Sequence, residues 1–190
     1  MPNRRSLLLL PLLTLSSPVR ADETLLGTLM ARLAAVPERR AAFRETRVFA
    51  ALSMPLESRG RLLYRRPGYL EKQTDWPQPE RLVVDGPWLT LTEATDAPRV
   101  VDLRGQPELR AMIDGLRAPL AGDLAVLQER FRMNAAGSLA AWTLDMVPRD
   151  ERAARFLRSL HLAGRDDWIA EIRLVQANGD EQTMQIGPPS

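Results

Sequence analysis

Cysteine is absent from this 190-residue chain, histidine occurs once, as His161, and lysine once, as Lys72. Without thiols there is no disulfide framework, and no residue to which a lipid anchor could be attached behind an export signal. A lone histidine with no cysteine argues against a zinc centre. There is no Gly-x-Ser-x-Gly turn and no glycine-rich phosphate loop, so neither a nucleophilic hydrolase nor a nucleotide enzyme is suggested. His161 lies between Leu160 and Leu162 in an alternating stretch, where it points away from them as a surface or edge residue, not as a general base. Asp166-Asp167 reads as a turn and Asp150-Glu151 as a helix start, not as acid-base or calcium pairs. No enzyme activity and no cofactor are expected. Aromatic residues make up only 5% of the chain.

Long apolar runs are also missing. The longest, Leu7 to Leu15, falls far short of the roughly 20 residues needed to cross a bilayer. Arg4 and Arg5 precede it and Val19-Arg20-Ala21 follows with small residues suited to cleavage, the pattern of a secretory signal. The expected organisation is a cleaved segment, 1–21, and one domain, 22–190, working in an exported compartment. Residues 1–21 carry three arginines and no acid, so removing them turns 26 basic and 24 acidic residues into 23 against 24. Interspersed charges near neutrality supply no basic stripe, and nucleic acid is not an expected partner.

What remains has two periods. Leu25, Leu26, Leu29, Met30 and Leu33 recur at three and four residues, predicting a helix over 23–36 that Pro37 ends. Strands are predicted at 40–52, 56–66, 68–75, 80–85 and 87–93, with Asp85-Gly86 as a tight hairpin, followed by a short strand or loop at 96–104. Over 107–131 the helical period returns. Leu109, Met112, Ile113 and Leu116 form one face, Leu120, Leu124 and Leu127 another, with Pro119 and Gly122 interrupting to leave two helices. From residue 139 the period is two again, through Trp142, Leu144 and Met146, then Trp168, Ala170, Ile172 and Leu174, with Asn178-Gly179 turning into a last strand that holds Met184 and Ile186. Many antiparallel strands with a few amphipathic helices predict an α+β fold, a curved sheet covered on one side by helices. Whether the covered side is a filled core or a cavity is not decided by the pattern.

Residues 60–89 narrow the choice. Leu62, Tyr64 and Arg66 alternate onto one face, and Pro67, which cannot donate to a ladder, stops the strand. The series Gly60, Leu62, Tyr64, Arg66, Pro67, Asp85, Gly86 and Leu89 resembles the pattern of the periplasmic outer-membrane lipoprotein carriers of the LolA type, and the likeness runs without a gap from about Leu29 to Leu89. The resemblance implies an unclosed antiparallel β-barrel with helices as a lid over an acyl-chain cavity, in the periplasm. It implies that Arg66 holds the lid by donating to helix carbonyls, and that Leu29, Leu33, Phe43, Leu62, Tyr64, Leu70, Leu109, Met112, Ile113 and Leu116 line the cavity. It further implies a monomer that takes an acylated lipoprotein or lipid from an inner-membrane transporter to an outer-membrane acceptor. Alternatives within the resemblance are a dedicated carrier of a non-protein lipid, such as an acylated pigment or glycolipid, and a non-transporting regulatory module. The low aromatic content departs from the carriers' pattern and suggests an aliphatic lining. Lys72, one strand after the Arg-Pro turn, places a charge where an inward one would be costly.

Overall fold

The computed structural model describes residues 19–51 and 54–188; the signal segment read over residues 1–21 therefore lies largely outside the described residues. Eleven strands form one antiparallel sheet: β1 (Glu38–Val48), β2 (Leu56–Arg65), β3 (Tyr69–Trp76), β4 (Glu80–Asp85), β5 (Trp88–Glu93), β6 (Arg99–Asp102), β7 (Phe131–Ser138), β8 (Ala141–Pro148), β9 (Leu157–Arg165), β10 (Trp168–Gln176) and β11 (Glu181–Ile186). Their spatial order is β6-β5-β4-β3-β2-β1-β11-β10-β9-β8-β7, with β1 and β11 joining the two halves of the chain at the centre. β6 and β7 are both edges, so the curved sheet stays an unclosed barrel. The helices are α1 (Val19–Ala34), α2 (Pro107–Ala121), α3 (Leu124–Arg130) and the single turn α4 (Glu151–Ala154).

Local chemistry accounts for the boundaries. Pro107 opens α2, where a missing N–H costs nothing. Gly122 closes it in the left-handed region, at φ 72°, and Asp123 then caps α3 by accepting from the Val126 N–H at 3.1 Å. Pro119 is tolerated inside the last turn of α2. Gly86 and Gly179 supply the positive φ of the β4–β5 and β10–β11 turns, at 54° and 92°. The structure corrects the predicted boundary: helix ends at Arg130, and β7 occupies Phe131–Ser138, ahead of the period-two pattern expected from residue 139. Its inward residues, Phe131, Met133 and Ala135, are too few and too interrupted by Asn, Ala and Gly to announce a strand.

The concave side is filled unevenly. Over β7–β10, α1, α2 and α3 bury Leu29, Leu33, Leu127, Phe131, Trp142, Leu144, Leu160 and Leu162 in one continuous core. A smaller cluster joins Val84, Leu89, Leu103 and Ile113, with Leu109 packed against it, and so holds the start of α2 to the β4–β5 hairpin. Between these two cores the sheet and α2 do not meet fully.

Candidate functional site

A cavity of about 270 Å³ occupies that gap, bounded by the concave face of β1–β5, β10 and β11 and by one face of α2. Alternation selects its wall. Leu62 and Tyr64 on β2, Leu70 on β3, Leu82 and Val84 on β4 and Leu89 on β5 come from the first half of the sheet; Ile169, Ile172 and Leu174 on β10 and Met184 on β11 come from the second. α2 contributes Met112, Ile113, Leu116 and Leu120 at helical spacing. The lining is overwhelmingly aliphatic. Two wider depressions, of about 620 and 490 Å³, share Arg44, Arg59 and Gln185; the first is bordered also by Glu57 and Trp76, the second by Phe43, Asp75 and Ile186.

Of the residues singled out by the sequence, Leu62, Tyr64, Leu70, Met112, Ile113 and Leu116 are brought together in this wall. Leu29 and Leu33 sit in the filled core, and Leu109 in the smaller cluster. Phe43 is buried beneath Lys72, whose ammonium lies 5.0 Å from the ring centroid. Arg66 follows the last residue of β2 and is exposed, with its Nη1 donating to the carbonyl of Ala34 at 2.8 Å. Ala34 is the last residue of α1, where carbonyls lack intrahelical partners. Arg39, which the sequence reading passed over, donates from Nη2 to the neighbouring carbonyl of Leu33 at 3.0 Å and reaches Asp167 at 3.5 Å. Two arginines from β1 and the β2–β3 turn thus hold the C-terminal end of α1. Burial lowers the Arg39 pKa from its usual value, with Asp167 opposing.

Polar atoms at the cavity are distributed at its two ends. Near α1 the Tyr64 hydroxyl and the Arg39 Nε are buried without a hydrogen-bond partner, and burial raises the Tyr64 pKa. At the other end Glu45 is fully buried, taking Arg47 Nε on one oxygen and Lys72 Nζ on the other. Lys72 does point inward, and burial lowers its pKa while Glu45 acts against that shift. Glu45 was missed, although Ala41, Phe43 and Glu45 alternate on one face of β1 and the position is readable from that period. α2 itself is fixed by Asp114, 3% exposed, which meets Arg130 at 2.8 Å, Arg117 at 2.9 Å and Arg110 at 3.5 Å. Arg117 also donates to the Gly86 carbonyl at 2.9 Å, tying the helix to the β4–β5 turn.

A family model described as outer membrane lipoprotein carrier protein LolA-like matches residues 18–188. The chain belongs to this LolA-like family. A LolA superfamily protein from Nitrosomonas europaea is similar in structure at 8% identity, with 89% of this chain and 92% of that one covered and a TM-score of 0.49. A DUF1329 family protein from Desulfovibrio piger aligns at 9% identity over 92% and 93% of the two chains, with a TM-score of 0.51. MucB of Pseudomonas aeruginosa, solved in complex with MucA, aligns at 12% identity over 87% of this chain and 56% of that chain, with a TM-score of 0.45. Comparison with curated proteins gives no match. At such identity the likeness to the DUF1329 family protein speaks for a shared fold alone. Among the described residues no helix is long and apolar enough to cross a membrane, and no group of three or more acidic, histidine or cysteine side chains could hold a metal ion.

Proposed function

We propose that this LolA-like protein is a non-enzymatic periplasmic carrier, exported by cleavage of residues 1–21, whose remaining domain shields acyl chains in the cavity and moves them from the inner to the outer membrane. The observation that carries this reading is the aliphatic cavity of about 270 Å³ between the sheet and α2. An aliphatic pocket gains about 0.8 kcal/mol for each methylene removed from water. A carrier must also release what it holds, and the ties from Arg39 and Arg66 to the end of α1 favour the closed, empty state in competition with cargo. An inner-membrane transporter would load the cavity and an outer-membrane acceptor would empty it.

The size of the cavity favours a carrier of a non-protein lipid over one for lipoproteins. Pockets for whole drug-sized ligands run from about 300 to 1,000 Å³, and this one lies just below that range, enough for one chain without the helices moving apart. The purified protein should bind a hydrophobic fluorescent probe and release it when fatty acid or lysophospholipid is added. Probe binding that is absent from the native protein and appears only on partial unfolding would reject the carrier reading.

A further inference from the structure

The two cations at the Glu45 end of the cavity have more donors than the structure uses. Lys72 carries three N–H donors and Arg47 five. Lys72 gives one to Glu45 Oε2, and Arg47 gives its Nε–H to Glu45 Oε1. Both residues border the cavity, and the Arg47 side chain is 43% exposed, so this end meets water. Glu45 is committed, with each oxygen occupied and no exposed surface. The other carboxylate bordering this end, Glu80 on β4, acts on Lys72 through space but forms no ion pair with it. Glu71, also on the wall, is held by Arg81, Gln182 is a neutral polar side chain, and the rest of the lining is mostly aliphatic, with Arg39, Arg40, Tyr64 and Trp168 toward the α1 end. An apolar channel that ends in unused cationic donors is complementary to a molecule with a tail and an acceptor-rich head.

We propose that the cavity takes a single-chain amphiphile with an anionic head, carboxylate or phosphate, and that Lys72 and Arg47 bind that head. This rests on the carrier reading and names its cargo class. The tail lies along Leu62, Leu82 and Leu116, and the head remains at the wet end, where Arg47 completes its contacts. Glu45 holds the two cations apart and oriented, which costs the incoming head less reorganisation than two free side chains would. Charge-assisted hydrogen bonds are stronger than neutral ones, so the head supplies selectivity and the tail most of the affinity. Burial alone disfavours the Lys72 ammonium, and an anion beside it removes that penalty.

Calorimetric titration of the purified protein with dodecanoate, dodecyl phosphate and dodecanol, each below its micelle concentration at neutral pH, tests the assignment. Both anions should bind about tenfold more tightly than dodecanol, as expected for one or two charge-assisted bonds. The paired variant Lys72→Met with Glu45→Gln, which leaves no unpaired buried charge, should cut that preference to about threefold, the part left to Arg47. Arg47→Gln, at the exposed end, should reduce the preference by about threefold without a folding risk, and Glu80→Gln should strengthen the anions. Equal affinity for all three compounds, or a preference that is undiminished in both the paired variant and Arg47→Gln, would overturn the head-group assignment while leaving the carrier reading in place. Dipalmitoyl phosphatidic acid binding more tightly than dodecyl phosphate would overturn the single-chain assignment. No binding of any amphiphile would remove the carrier reading as well.

Discussion

Arg66 and Glu45 show how differently one residue can matter in this fold. Arg66 is exposed, and its bond to Ala34 is backed by the adjacent bond from Arg39 to Leu33. Arg66→Leu should therefore lower the thermal midpoint by only about 2–4 °C. It should slow transfer of bound lipid to acceptor vesicles by about fivefold, the worth of roughly 1 kcal/mol taken from the closed, empty state. Equal transfer rates in the two proteins would mean that the ties do not oppose cargo. Glu45 is fully buried and accepts from two cations, so Glu45→Ala strands Lys72 in an apolar wall. A loss of about 3–5 kcal/mol in urea unfolding is expected, most of it recovered when Lys72→Met is added. An undiminished loss in the double variant would show that packing, not charge, is what Glu45 provides.

At the scale of elements the decisive contact is between the ends of α1 and α2. Gly122, at φ 72°, ends α2 with space for no side chain: a β-carbon there would lie 2.6 Å from Ala34 Cβ and 3.2 Å from the Met30 carbonyl oxygen. The α1 end held by Arg39 and Arg66 is thus also the end on which α2 rests. Gly122→Ala should lower stability by about 1–2 kcal/mol from the left-handed backbone alone, and more from the clash, unless the helices separate. Thermal unfolding gives the cost, and hydrogen exchange along 26–34 should quicken if the two helices part. Unchanged exchange with unchanged stability would place the hinge elsewhere. The sheet side of the cavity has no such freedom, because its strands are tied register by register from β6 to β7.

For the whole molecule, the filled half and the open half of the concave face divide stability from binding. The core over β7–β10 contains the largest buried side chains, including Trp142, Phe131, Leu144 and Leu160, whereas on the β1–β5 side only the small cluster around Val84 and Leu89 is packed and Leu62, Leu70 and Leu82 border the cavity. Large changes in the filled half should unfold the protein, and changes around the cavity should alter binding first. Leu116→Trp, projecting from α2 into the cavity, should weaken fatty acid binding by about tenfold or more while holding or raising the thermal midpoint, since added apolar volume fills existing space. Displacement titration and thermal unfolding of the same preparation separate the two effects. Binding that persists at wild-type affinity would place the acyl chain outside this cavity.

The period of the chain by itself determined that Leu62 and Tyr64 share a face of a strand and Met112, Ile113 and Leu116 a face of a helix, whereas Leu70 was placed with them by the family resemblance. Asp85-Gly86 and Asn178-Gly179 marked their turns because a tight hairpin needs backbone torsions that few residues adopt. The 60–89 pattern carried the LolA-like family and its unclosed barrel, and both are found. Only the tertiary structure decided that Leu29 and Leu33 enter the filled core while Leu116 and Leu120 face a cavity, because one apolar helix face looks like another until it is docked. It alone brought Lys72 to Glu45 across 27 positions of sequence. An inward charge is legible from alternation, but its partner depends on the register of three adjacent strands, which no local period records.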